Sequence, residues 1–78
     1  MNDDTISRFI YKARKNKQAV ELQIITGAVF IIEPWMNYDF EKNNLVTHDF
    51  ALDLNSICSV KCILSHQGSH NLLATAGD

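Results

Sequence analysis

The chain has 78 residues, 46% of them hydrophobic, with two cysteines, one proline and a formal net charge of −2. That length admits one domain with one core, and the apolar share excludes a chain disordered throughout. No apolar run approaches the roughly 20 residues of a membrane helix, and MNDDTISRF carries no signal-peptide pattern, so a cytoplasmic location without membrane contact is expected.

The small net charge hides a bipolar distribution. Residues 1–18 carry Arg8, Lys12, Arg14, Lys15 and Lys17 against Asp3 and Asp4, which leaves +3. The remainder carries Lys42 and Lys61 against seven acids, which leaves −5. A basic edge of this kind attracts phosphate even on an acidic protein, although a solvated helix face has the same composition.

The first predicted element is a helix over about residues 4–16. Asp3, Asp4 or Thr5 suits its N-cap, and acids suit the positive end of its dipole. Ile6, Phe9, Ile10 and Ala13 recur at i, i+3, i+4 and i+7 as one apolar stripe, with Arg8, Lys12 and Lys15 opposite. From Ala19 the period becomes two: Val20, Leu22 and Ile24 face one way, Glu21, Gln23 and Ile25 the other. Thr26-Gly27 reads as a tight turn, and Ala28–Ile32 as a strand that is covered on both sides or bends. Pro34 marks an edge, bulge or bend, because it has no amide hydrogen to donate to a ladder.

Trp35–Phe40 holds three of the seven aromatic residues, and Asn43-Asn44 after it reads as a turn. Leu45–Thr47 and Phe50–Leu52 read as short strands around a His48-Asp49 turn. Leu54-Asn55-Ser56 reads as a turn and Ile57–Leu64 as the last strand. Residues 1–64 form the expected domain, with strands over 19–64, and residues 65–78 a mobile tail.

One helix and about five short strands are too few for a sandwich, so the expected fold is mainly β, a small, strongly bent barrel with a helix over one end. A partly open barrel leaves unpaired strand edges. Pairing them head-to-tail with neighbouring copies closes a ring.

Cys58 and Cys62 are expected to be reduced and partly buried. Four strand residues separate them by ~13 Å, beyond the ~7 Å Cα limit for a disulfide. With His66 and His70 they spell C-x3-C-x3-H-x3-H, a pattern suggestive of zinc. Steady four-residue steps spread such ligands over ~18 Å or more on a helix or strand, so no metal is expected. No nucleophile elbow, paired carboxylates or phosphate loop is present, so neither catalysis nor a cofactor is expected.

Phe9–Gly27, FIYKARKNKQAVELQIITG, resembles the opening of the Sm-like domain in the bacterial host-factor (Hfq) family. That opening runs as a helix, a basic pair and V-x-I-x-L-x-N-G. Arg14-Lys15 falls on the basic pair, Val20, Leu22 and Ile24 on the inward strand positions, and Gly27 on the turn. Tyr38-Asp39-Phe40 resembles the family's F-D-x-F, one residue short, and Ser56–Val60 its A-I-S-T-V. The similarity covers residues 5–63. A second register sets Glu33–Asn37 on the D-x-x-M-N of the wider Sm group. The departures fall on nucleotide-binding positions: Asp53-Leu54-Asn55 stands where the family has Y-K-H, and Gln23 stands at the adenine-face tyrosine.

The resemblance implies an SH3-like, five-stranded Sm barrel and a homo-oligomeric ring of about five to seven subunits. It further implies single-stranded RNA held by a pore loop of Asn37, Tyr38, Asp39, Phe40 and Asn55 and a basic rim of Lys12, Arg14, Lys15 and Lys17. Tyr38 and Phe40 would stack on bases, an amide of Asn37 or Asn55 would read a base edge, and the rim would hold phosphates. The alternatives are subunit packing for Tyr38 and Phe40, interface or core for Trp35, and a protein-binding adaptor on the same fold. The missing Lys-His pair and the acidic excess beyond the helix favour the adaptor.

Overall fold

A computed structural model describes residues 1–65. The helix, α1, spans Asp3–Lys15. Its cap is Asn2, whose Oδ1 accepts the Thr5 amide at 2.9 Å, so the expected caps Asp3, Asp4 and Thr5 instead form the first turn. Asp3 and Asp4 still complement the dipole there, as Lys12, Arg14 and Lys15 do in the last turn. Ile6, Ile10 and Ala13 are buried, and each isoleucine contributes roughly 1.5–3 kcal/mol by leaving water. The helix stops at Asn16 and Lys17, whose amides donate to Ala13 and Arg14 carbonyls. Lys17 is left-handed (φ 56°), a conformation that costs a side-chain-bearing residue energy.

Strand β1 (Gln18–Ile24) lies between β2 (Val29–Ile32) and β6 (Ile57–Leu64), antiparallel to both. Val20 and Leu22 are buried as the alternation requires, and Ala19 is buried as well. Glu21 sits opposite Lys61, and their side chains pair at 3.3 Å. The ladder shifts between Gln23 and Ile24, where Ser59 and Ile57 are the partners, so Cys58 is the bulged residue. This bulge exposes Cys58, contrary to expectation, while Cys62 remains half-buried; both are free thiols. The β1–β2 connection turns at Gly27 (φ 94°), whose amide donates to Ile24.

A second antiparallel sheet has the order β3 (Tyr38–Glu41), β4 (Asn44–Thr47), β5 (Ala51–Asp53). Strand β3 departs from the loop expected there: the chain is extended from Tyr38 onward. The run from β2 is interrupted at Pro34, where the Met36 amide donates to Glu33 across a turn. The described residues therefore form six strands in two three-stranded sheets, and no closed barrel is found among them. The β3–β4 turn is Lys42-Asn43, one residue earlier than the sequence suggests. Both residues have positive φ (49° and 66°), as in a two-residue type I′ hairpin.

Thr47 organises the β4–β5 turn. Its hydroxyl accepts the Asp49 and Phe50 amides, and its own amide donates to the Phe50 carbonyl. A short 3-10 turn, Leu54–Ser56, leads into β6 and is capped by Asp53, which accepts the Asn55 amide.

Ile6, Ile10, Ala13, Val20, Leu22 and Ile32 join Leu45, Leu52, Leu54 and Ile57 in a single core. Helix and both sheets therefore share one apolar interior. Phe30 and Phe50, with ring centroids 5.1 Å apart, link the two sheets at its margin. Ser65 is buried rather than part of a loose tail; residues 66–78, with the expected mobile segment and His66 and His70, lie outside the described residues.

Candidate nucleic-acid interface

Amphipathicity places the cations. With Ile6, Ile10 and Ala13 fixed in the core, Arg8, Lys12, Arg14 and Lys15 must project outward, and all four are exposed, as is Lys17. Among the described residues these five cations form no ion pair. No carboxylate among the described residues neutralises their charge.

Arg14 leaves the row. Its Nη2 donates to the Met36 carbonyl, and its guanidinium carbon lies 5.1 Å from the centroid of the Tyr38 ring. Tyr38 in turn meets Phe40 edge-on, with centroids 5.6 Å apart. The strand geometry of β3 explains this pairing, since residues two apart share a face. Asp39 falls on the other face, exposed, and its carboxylate accepts the Phe40 amide at 2.8 Å. That bond occupies a donor on the free edge of β3 and blocks strand addition there. Asp39 therefore lies on the face opposite Tyr38 and Phe40.

Beyond Phe40 the face continues into a shallow cleft of about 270 Å³ lined by Asn2, Asp3, Phe40, Lys42, Asn43 and Leu54. It combines an aromatic wall, a cation, two amides and the Asp3 carboxylate. Asn37 is exposed just before β3, and Asn55 is exposed in the 3-10 turn. Tyr38 pairs with Thr47 while Asn44 pairs with Asp53, so Asn37 and Asn55 lie at opposite ends of the second sheet. The five residues expected to form one loop thus separate into a Tyr38–Phe40 aromatic face and two distant asparagines.

The rim and the aromatic face, expected as two surfaces, are joined through Arg14. Trp35 is 57% exposed, which removes the core alternative for it within one chain. Sequence reasoning missed Tyr11, which is 67% exposed on the helix with the Lys15 ammonium 5.6 Å from its ring centroid. The signal was present: residues 8, 11, 12 and 15 repeat the i, i+3, i+4, i+7 spacing that revealed the apolar stripe.

No family model, curated protein or solved structure matches this chain. The geometry establishes a mainly β protein with an N-terminal helix over two small antiparallel sheets. Among the described residues no helix is long and apolar enough to cross a membrane.

Proposed function

We propose that this protein is an Sm-like, single-stranded RNA-binding protein acting as a homo-oligomeric ring. The observation that carries the reading is the Arg14–Tyr38–Phe40 cluster beside a row of unpaired helix cations. Aromatic faces next to a cationic track suit unpaired bases strung on a phosphate backbone. In this mechanism the helix cations neutralise phosphates without regard to sequence, and Tyr38 and Phe40 stack on bases that a duplex would keep inside. The element order supports the Sm-like arrangement, with the helix over β1 and the last strand returning to pair with β1. The edges of β5 and β6 supply backbone groups for pairing between copies.

The test is solution mass by light scattering, alone and with short oligo-U or oligo-A RNA. A multimer of about five to seven subunits that takes up RNA supports the reading. A monomer removes the ring, and a multimer that ignores RNA moves the function to protein binding. That second reading, an adaptor on the same fold, is favoured by the exposed Trp35, Ile25 and Leu64, which offer apolar contact area outside the cationic row.

A further inference from the structure

The outer face of α1 carries more than charge. Arg8, Tyr11, Lys12 and Lys15 form one exposed stripe along the helix, with an aromatic ring set among three cations. Tyrosine is a weaker helix former than the residues usual on such a face, and its exposed ring leaves apolar surface in water. The Lys15 ammonium beside the ring restrains it without burying it. One turn away, Arg8 and Lys12 flank a shallow groove of about 190 Å³ whose third lining residue is Phe9. Arg14 contributes nothing to this stripe, being turned to Met36 and Tyr38.

We infer that this stripe is a second contact for single-stranded nucleic acid, in which Tyr11 stacks on one base while Arg8 and Lys12 hold the adjoining phosphates. The inference rests on the RNA-binding reading and deepens it, since it makes the helix face selective for unpaired bases and not only for charge. Charge complementarity commits the face to a polyanion: three exposed cations stand together, and the one helix acid on the same face, Asp4, lies a turn before Arg8 without forming a salt bridge to it. A membrane surface fits less well, because the apolar side of this helix is already spent on the core through Ile6, Ile10 and Ala13. An acidic peptide would use the cations but has no base to lay against Tyr11. Every base presents a stacking face, so the contact tolerates any sequence and rejects a duplex.

The test compares wild type, Tyr11→Ala, Tyr11→Phe, the double variant Arg8→Ala/Lys12→Ala, and Tyr38→Ala. Each is titrated with a labelled single-stranded oligo-U, the matching duplex RNA, and poly-glutamate over a range of salt, with helical circular dichroism as the check on folding. Tyr11→Ala is expected to weaken oligo-U binding by ~5- to 100-fold with an unchanged salt slope, and Tyr11→Phe to restore it. The Arg8/Lys12 double variant is expected to flatten the slope by about 0.7 for each phosphate it no longer neutralises. Upfield shifts of the Tyr11 ring protons on adding RNA would report the stacking directly. If wild type binds oligo-U and Tyr38→Ala weakens it while Tyr11→Ala does not, the helix contact is wrong and the RNA reading survives. If duplex or poly-glutamate binds as tightly as oligo-U, the stripe is a charge patch and the inference fails. If wild type binds no RNA at low salt, the inference and the proposed function fall together.

Discussion

The two sheets divide the work of the molecule. In the β2-β1-β6 sheet the central strand buries Ala19, Val20 and Leu22, and β6 runs eight residues alongside it. In the β3-β4-β5 sheet no strand exceeds four residues, and only Leu45 and Leu52 reach the buried core. Its remaining large side chains, Tyr38 and Phe40, pack against the margin of the core yet stay half-exposed, and Tyr38 also meets the Arg14 guanidinium. A residue such as Leu22 answers to packing alone. Tyr38 and Phe40 retain accessible aromatic surface, which suits a ligand contact.

Leu22→Ala removes a fully buried side chain and should cost about 2–5 kcal/mol in urea unfolding. Leu45→Ala should fall in the same range, because Leu45 anchors the smaller sheet in the shared core. Either value near zero would mean the two sheets do not share one core.

Next in size is Tyr38→Ala, which should weaken single-stranded RNA binding by about 1–3 kcal/mol. Stability should change by less than in the leucine variants, as calorimetry would measure. Equal losses of binding and stability would place Tyr38 on the structural side of the division.

Arg14 and Lys15 sharpen the contrast within one helix turn. Arg14→Ala removes both the Met36 hydrogen bond and the cation over the Tyr38 ring, and should cost about 1 kcal/mol of stability. Lys15→Ala, at an exposed site, should stay within about 0.5 kcal/mol. Denaturation midpoints for the two variants decide this, and equal values would show that the Arg14 clasp is not structural.

Lys17→Gly should stabilise the fold by up to about 1 kcal/mol, since glycine accepts the left-handed backbone at the helix–strand junction. The gain would appear as a raised melting temperature. An accompanying loss of RNA affinity would identify Lys17 as a phosphate contact.

The parts legible in the sequence were those set by periodicity. Ile6, Ile10 and Ala13 gave the helix face, and Val20 and Leu22 the buried face of β1, because burial imposes spacing directly. Strand β3 was not legible. Tyr38–Glu41 is four residues long, alternates aromatic with acid, and follows a proline turn, all of which resemble a loop when no partner strand is known. The Arg14 clasp was hidden for a related reason: it joins residues 22 positions apart in the chain, and the helix pattern alone showed a cation facing solvent. The positive φ angles at Lys42 and Asn43 moved a turn by one residue, since neither position carries the glycine that usually announces such a turn.

In the proposed mode of action the helix cations and the Tyr38–Phe40 face hold single-stranded RNA. The most direct test is the affinity of the wild-type protein for labelled oligo-U and oligo-A as a function of salt. Three or four phosphate contacts predict that log K falls linearly with log salt, with a slope of about −2 to −3, and with residual affinity from stacking at high salt. No binding at low salt, or an affinity indifferent to salt, would contradict the account and leave the exposed apolar residues as a surface for another protein.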